Sequence, residues 1–322
     1  MSSYLLYIKL EIIITEEYDG VSPKNFLKKR LNVSYSKLVK LLKDKRITIN
    51  KKKIKQDTIL AKGDVIKIWD KTIELRDTKE NKETKSENLN INTIYEEKDF
   101  LAINKKPGIV VQGAAEKNTS LVLHLNYLKE QNNDELNEYN YVHRLDKDTS
   151  GVLLIGKNSS AIRELNKIFK SKEIKKTYVC LCDGLFEEKE GTIEVTLSRM
   201  PDNSFEKVSV GDSGSFARET KSHYKVIDEY EFQNQSFSLV EVVIETGFMH
   251  QIRVHMKHIK HPIIGDDMYG NRFVNSMFEE LLPRQFLHAR KLEFEYNGKE
   301  YKIKAKLSND LNKALNNMKK IV

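Results

Sequence analysis

The sequence predicts an α+β chain in two parts, a small basic domain followed by a larger one, and three observations predict it. Residues 22–70 hold 15 Lys or Arg against 4 Asp, a balance of +11 in a chain whose total is +8, which leaves −3 for the remainder. Residues 71–92 hold five positive and five negative charges, no aromatic residue and many Asn, Thr and Ser. Such a segment cannot bury enough apolar surface to order itself and reads as a linker. On either side of it, apolar runs at strand and helix spacing alternate. The boundaries that follow are 1–70 for an N-terminal strand plus the basic domain, 71–92 for the linker and 93–322 for the larger domain.

The elements can be justified in order. Residues 4–15, rich in Ile, Leu and Tyr, predict one or two strands. A helix follows over 21–31, with Ser22 as cap and Pro23 at its first position. Ser34 or Ser36 caps a second helix, in which Leu38, Leu41 and Leu42 share one face and Lys37, Lys40 and Lys43 another. Residues 46–50 alternate as a strand, Lys51, Lys52 and Lys53 make a basic turn, and 57–69 supply further strand around a Gly63-Asp64 turn. Past the linker, 94–111 read as strand, acidic turn, strand and a Pro107-Gly108 turn, and 119–131 as a helix. Val152-Leu-Leu-Ile155 is a buried strand, and 161–171 form an amphipathic helix with Ile162, Leu165, Ile168 and Phe169 on one side. A strand spans 175–182. Residues 186–222 read as irregular, with short strands and a turn at Gly211–Gly214, before long strands at 223–229 and 237–245. Strands over 291–296 and 300–305 close the pattern.

Composition excludes several classes. With 39% hydrophobic residues in 322, the chain can bury a sizeable core. No apolar run reaches bilayer length, and the first residues lack the basic start, apolar stretch and cleavage site of a secretion signal. The only cysteines, Cys180 and Cys182, share a strand face and are poorly placed to bond to each other, so they read as thiols of a reducing compartment. A cytoplasmic location is expected. Positive charge confined to one segment is the footprint of a nucleic-acid contact. His250, His255, His258 and His261 lack an accompanying acidic or cysteine ligand, so a metal site is not expected; with Lys257 and Lys260 they are better suited to phosphate.

The densest chemistry lies in Tyr141-Val-His-Arg-Leu-Asp-Lys-Asp-Thr-Ser-Gly-Val-Leu-Leu-Ile155. His143, Arg144, Asp146, Lys147 and Asp148 crowd a loop directly before a core strand, where a rigid scaffold presents reactive groups. A carboxylate among basic residues can act as nucleophile or base. The stretch resembles the signature of the RluA family of RNA pseudouridine synthases, whose defining motif matches His143-Arg144-Leu145-Asp146 and continues through Thr149-Ser-Gly-Val-Leu153. Asn104-Lys105-Lys106-Pro107 resembles the family's opening Asn-Lys-Pro motif with an added Lys. Thr246-Gly-Phe-Met-His-Gln-Ile-Arg-Val-His255 resembles its later motif. There the family has Gly-Arg-Thr or Gly-Arg-Ser, whereas this chain has Gly247-Phe248-Met249 and lacks the basic residue. Residues of about 20–70 resemble the S4 RNA-binding domain, through Phe26-Leu27, the second helix, Ile47-Thr-Ile-Asn50 with Lys51–Lys53, and Gly63-Asp-Val-Ile-Lys-Ile68. Ser22-Pro23-Lys24-Asn25 replaces the basic-plus-acidic pair often found at the start of that domain.

These resemblances imply an S4 domain followed by a catalytic domain with a mixed, mostly antiparallel sheet, flanking helices and a central cleft. They imply a reaction that breaks the bond between uracil N1 and ribose C1′, turns the base and rejoins it through C5. No atoms are gained or lost, so no cofactor is expected. By the same resemblance Asp146 works at C1′ as nucleophile or base, and Arg253 pairs with it. Tyr178 stacks near the flipped base and is a candidate for removing the C5 proton. Arg144 enters the space the base vacates, offsetting part of an extrusion cost of roughly a few kcal/mol. His143, His250 and Ile252 complete the expected substrate contacts. Lys37, Lys40, Lys43, Arg46, Lys51, Lys52 and Lys53 are expected to track phosphates without reading sequence. Gly265-Asp-Asp-Met-Tyr-Gly270 and Phe286-Leu-His-Ala289 look most like the C branch of the large-subunit rRNA synthases, and the D branch shares much of the pattern. The expected partner is 23S rRNA or an assembling large subunit, with no membrane contact and a monomeric enzyme. Three alternatives compete: a synthase of this family acting on tRNA, a non-catalytic RNA-binding or ribosome-assembly factor, and a glycoside or nucleoside hydrolase. A hydrolase of the common type needs two carboxylates flanking the bond, and Asp148 is the only neighbour that could be the second.

Overall fold

A computed structural model describes residues 10–31, 33, 35–54, 58–70, 73, 88–111, 121–131, 139–171, 173–200 and 207–321. It divides into two compact units, Met1–Glu83 and Thr84–Val322.

The first unit carries strand β1 (Leu10–Ile13), helices α1 (Pro23–Arg30) and α2 (Tyr35–Lys43), and strands β2 (Ile47–Ile49), β3 (Lys52–Lys53) and β4 (Val65–Ile68). Ser22 caps α1: its hydroxyl accepts from the Asn25 N–H at 3.4 Å, and Pro23 sits at the first position, where the missing N–H has no helical partner to lose. Helix α2 starts at Tyr35, so Ser36 lies inside it, while Ser34 and residues 4–9 fall outside the described residues. The strand expected over 57–69 contracts to β4. All pairings are antiparallel, in the order β1-β4-β2-β3. Phe26, Leu27, Leu31, Leu38, Ile47 and Ile66 fill the core between sheet and helices. The basic turn is a built corner. Asn50 and Lys51 adopt left-handed φ values of 48° and 65°, and the Asn50 amide donates to Asp64 at 2.6 Å while accepting from the Val65 N–H at 2.9 Å. Of the segment expected to be a linker, 71–72 and 74–87 lie outside the described residues.

The second unit continues with β5 (Asn92–Glu96), β6 (Phe100–Lys105), α3 (Leu121–Gln131), β7 (Asn140–Tyr141), β8 (Ser150–Gly156), α4 (Ser159–Lys170), β9 (Lys175–Asp183), β10 (Glu190–Arg199) and β11 (Val208–Val210). It ends with β12 (Ser215–Phe232), β13 (Gln235–Ile244), α5 (Gln251–His258), α6 (Arg272–Met277), β14 (Leu287–Tyr296), β15 (Lys299–Lys304), α7 (Asn309–Asn316) and β16 (Lys319–Ile321). Its strands form one sheet of order β11-β10-β12-β13-β9-β14-β8-β6-β5, with β7, β15 and β16 added at β8, β14 and β12. The β8–β14 pair is parallel and the others are antiparallel, as a mixed, mostly antiparallel sheet requires.

Strand β8 is buried at every residue, which is why it reads as a continuous apolar run. Gly151 is required there. Its φ is +117°, and a Cβ would lie 2.2 Å from the Ala289 carbonyl oxygen of β14. His288 lies opposite Ser150, and on the other side of β14 Ala289 lies opposite Tyr178 of β9. The loop before β8 and the Tyr178 ring therefore meet over the head of β14.

The structure corrects one expectation of the fold. Residues 186–222 are not irregular: β10 runs ten residues and pairs with an eighteen-residue β12. At its turn end the first five residues of β12 are all exposed, whereas Leu197 and Ser198 of β10 are buried. Strand β10 does alternate, with Ile193 and Leu197 buried and Val195 packed beside them, but the exposed start of β12 carries no such pattern. Among the described residues no helix is long and apolar enough to cross a membrane.

Three histidines are built into the interior as neutral rings. His143 Nε2 accepts from the Leu154 N–H at 3.0 Å, His255 Nε2 lies 2.8 Å from the Thr220 hydroxyl and His288 Nδ1 lies 2.9 Å from the Ser150 hydroxyl. Burial pushes His143 down to about 3 and His255 and His288 down to about 4. The unfolded chain protonates the same rings near 6.5. Between these values the unfolded state binds more protons, so the stability is whole above pH 6.5 and drains away as the pH falls toward 4. Urea unfolding at pH 7, 6 and 5 should show this decline, steepening toward about 1.4 kcal/mol per pH unit for each histidine engaged. A profile that stays level over this range would contradict the neutral rings.

Candidate active site

Residues 142–149 carry the polar cluster from β7 into β8, and their backbone is held from below by two buried cations. Lys105, fully buried at the end of β6, donates to the carbonyls of Lys147 at 2.8 Å and of Lys106 and Ile109 at 3.0 Å. Burial draws its pKa down to about 7, yet three carbonyl acceptors match the three N–H bonds of an ammonium. Arg284 donates to the Asp148 carbonyl at 2.8 Å and to the Ser308 hydroxyl at 2.8 Å, and it is paired with Asp310 at 2.6 Å. The Gly108 N–H reaches the Lys147 carbonyl as well, at 3.0 Å. Of the two lysines in the opening motif, it is Lys105 that points inward.

Above this support the Asp146 carboxylate faces a cleft of about 230 Å³ whose walls include Arg144, Tyr178, Arg199, His250, Ile252 and Arg253. Tyr178 is buried, and burial together with the nearby Asp146 charge pushes its phenol well above the usual value, so it remains a neutral hydroxyl. Arg144 is exposed at the rim. Helix α5 brings the later motif to the cleft. Gln251 fixes its entry, accepting from the Phe248 N–H at 3.0 Å and donating to the Ser222 hydroxyl at 3.0 Å. His250 precedes the helix with a left-handed φ of 56°. Its Nδ1 lies 3.0 Å from the Tyr269 hydroxyl and its Nε2 lies 3.9 Å from Asp146. Burial lowers the His250 pKa against the pull of Asp146, leaving a neutral ring.

Arg253 is the best-held cation of the site. Its Nε and one terminal nitrogen donate to both oxygens of Asp266 at 2.6 and 2.8 Å, and its other terminal nitrogen lies 3.7 Å from Asp146. The guanidinium also lies over the Tyr269 ring, 5.0 Å from its centre. Burial works against the charge, but the Asp266 carboxylate, with Asp146 behind it, more than offsets this and raises the Arg253 pKa.

A family model described as RNA pseudouridylate synthase matches residues 99–258. A ribosomal large subunit pseudouridine synthase C of Vibrio parahaemolyticus is 31% identical over 95% of this chain and 96% of that protein. The protein of the same name from Vibrio vulnificus is 32% identical over 97% of each. The chain belongs to the RNA pseudouridine synthases. The fold agrees: human RNA pseudouridylate synthase domain containing 1 superposes with a TM-score of 0.59 over 72% of this chain and 89% of that one, at 22% identity.

The residues expected to act in this synthase can be placed one by one. Asp146, Tyr178, Arg253, Arg144, His250 and Ile252 all line the cleft. His143 does not. It stacks on Phe169 at 4.3 Å, and its Nε2 is taken up by the strand it precedes, so the ring braces the loop and its expected substrate contact is withdrawn. Arg253 was expected to pair with Asp146, but its bidentate partner is Asp266 and Asp146 is a second, longer contact. Asp148 does not line the cleft, so the two flanking carboxylates of a hydrolase are not assembled there. Of the other histidines, His255 bonds to Thr220 and His261 stacks on Phe186 at 3.9 Å. Cys180 and Cys182 are buried free thiols with sulfurs 3.6 Å apart. In the first unit Lys40, Lys43, Lys51, Lys52 and Lys53 are exposed, Lys37 is half-buried, and Arg46 is paired with Asp70 at 3.3 Å.

Sequence reasoning passed over Asp266, Arg284 and Arg199. Asp266 belongs to a motif read as a branch marker and Arg284 stands two residues before another, and the signal for each was a charged residue beside an apolar run. Asp266 is nearly inaccessible, whereas the Asp267 side chain is 90% exposed although it too lies near Arg253. Asp266→Asn should therefore leave a buried guanidinium without its counter-charge and cost about 3–5 kcal/mol in urea unfolding. Asp267→Asn should stay within about 0.5 kcal/mol of wild type; equal effects would refute this division of labour.

Proposed function

We propose that this synthase converts specific uridines of large-subunit ribosomal RNA to pseudouridine in the cytoplasm, with Asp146 acting at ribose C1′. The observation that carries the chemistry is the cleft itself, where one carboxylate, fixed through its own backbone, shares a nucleoside-sized space with Tyr178 and Arg253. The RNA class follows from the relatives named as large-subunit synthases, which align over nearly the whole chain.

The target uridine must leave its stack to reach Asp146. Arg144, exposed at the rim, is the residue that fills the space behind it. Asp146 then either adds to C1′ as N1 departs or takes a ribose proton in an elimination; both routes leave uracil free in the cleft. Ile252 and the Tyr178 ring confine the base while it turns. C5 then bonds to C1′ as the Asp146–C1′ bond breaks, or as Asp146 returns its proton to the ribose, and either route frees the carboxylate. The C5 proton must then be removed. Because Tyr178 is held as a neutral phenol, it can accept that proton only while passing its own on, and the freed Asp146 carboxylate in the same cleft is the base to receive it. Arg253 keeps positive charge beside Asp146 throughout. In the first unit, the exposed lysines of α2 and of the turn at Lys51 follow RNA phosphates in the manner of an S4 domain.

Pseudouridine mapping of large-subunit rRNA from cells lacking the gene tests this reading. Defined pseudouridines should vanish, return with wild type and stay absent with Asp146→Asn, which should still bind the RNA with nearly unchanged affinity. An unchanged map would turn attention to tRNA, and no change there either would favour a non-catalytic RNA-binding protein. Replacing Lys40, Lys43, Lys51, Lys52 and Lys53 by Ala in the full chain should flatten the salt dependence of binding by about one unit for each phosphate no longer neutralised. An unaltered slope would remove the S4 assignment.

A further inference from the structure

Arg199 is a cation of the cleft that no carboxylate among the described residues pairs. It lines the same space as Asp146 and lies among the walls that include Phe248 and Met249, where the family's usual basic residue is missing. Arg253 is neutralised by Asp266, Asp146 and Asp267. Among the described residues no carboxylate lies within ion-pair distance of Arg199, and its buried Nε has no hydrogen-bond partner.

The hairpin is shaped to present this side chain. Two steps along β10, from Leu197 to Arg199, answer three along β12, from Arg218 to Ser215. The extra residue makes a β-bulge at Phe216–Ala217, a device that re-aims side chains beside active sites. Phe216 takes the left-handed φ of 56° that a bulky residue adopts only at a cost. That cost returns no burial, since Phe216 is 72% exposed. What it gives is a platform: the Arg199 guanidinium carbon sits 5.2 Å from the centre of the Phe216 ring. Gly214 admits the close crossing, because a Cβ there would fall 1.9 Å from the Arg199 carbonyl oxygen.

We propose that Arg199 grips a backbone phosphate flanking the uridine that enters the cleft, supplying the positive charge that Phe248 and Met249 do not, and that Phe216 stacks its open face on a neighbouring base. An RNA brings one phosphate with every nucleotide, and a planar guanidinium is suited to bind it through two parallel hydrogen bonds. An exposed aromatic ring beside such a clamp is a sequence-tolerant stacking surface. The inference rests on the cleft being the place where uridine is converted, whichever RNA carries it.

The test compares initial rates of pseudouridine appearance in gene-deleted cells after induction of wild type, Arg199→Ala, Arg199→Lys, Phe216→Ala or Phe273→Ala at matched soluble levels. Phe273 is equally exposed but, unlike Phe216, has no Arg199 guanidinium against its ring, and its variant should match wild type. Arg199→Ala should be slower by about 10- to 100-fold, Arg199→Lys should recover part of the loss, and Phe216→Ala should be slower by about fivefold or more. With a transcript spanning the uridine so identified, adding Arg199→Ala to Asp146→Asn should lower the salt slope of binding by about one unit, which a merely structural residue would not do. Arg199→Ala within about twofold of wild type, or an unchanged slope, overturns the proposal. Targets found in tRNA would overturn the large-subunit reading alone, while a wild-type chain that restores no pseudouridine in any cellular RNA would overturn both.

Discussion

Successive carbonyls of the loop at Lys147 and Asp148 each end on a buried cation, Lys105 for the first and Arg284 for the second, and the geometry of the cleft depends on that fastening. A loop that turns sharply into a core strand leaves carbonyl groups without strand partners, and burying them unpaired would be costly. Neutral donors would satisfy them, but charged donors bind more strongly and so hold the backbone harder. Each cation in turn needs compensation. Lys105 finds it in three carbonyls, whereas Arg284 finds it in Asp310 at the start of α7. Through these contacts the position of Asp146 is tied to β6, to the segment entering β14 and to the C-terminal helix. A carboxylate that must meet a single ribose carbon gains from being fixed by its own main chain rather than by bonds to its oxygens.

The same logic explains why Arg253 favours Asp266. A bidentate pair with Asp146 would consume both oxygens of the carboxylate proposed to act and would damp its nucleophilicity or basicity. With Asp266 as the bidentate partner, Arg253 is anchored by a carboxylate that has no other task, and it offers Asp146 a charge at 3.7 Å without a tight bond. Asp266 also accepts from the N–H groups of Met268 and Tyr269 at 3.0 and 2.9 Å. The turn after it is thereby closed, and Tyr269 is set under the guanidinium.

How much of this could be read beforehand differs from residue to residue for physical reasons. Ser22-Pro23 marks a helix start because capping is local chemistry, and Val152-Leu-Leu-Ile155 marks a core strand because burial on both faces leaves only apolar residues there. Asp146, Tyr178 and Arg253 were legible through motif resemblance, and the fold gathers all three on one cleft. The role of His143 was not legible, because a histidine beside a reactive loop looks the same whether its nitrogen faces a substrate or a backbone N–H. In Gly265-Asp-Asp-Met-Tyr-Gly270 two adjacent carboxylates are equivalent on paper, and only the direction of the turn buries one and exposes the other.

The hairpin of β10 and β12 was missed for a reason that bears on what it does. The first five residues of β12 are exposed, so burial leaves no apolar pattern on that stretch to pair with the one on β10. An exposed strand start gains little stability from apolar burial, so the exposed residues at the start of β12 call for another use. Here β10 ends with Arg199 at the wall of the cleft, and β12 begins with the bulge that sets Phe216 beside it. Its polarity suits a surface that is dry only when something charged lies against it. A nucleic acid is the kind of partner that would satisfy a guanidinium and cover an exposed ring at once, and RNA is the substrate for which this family of synthases is named.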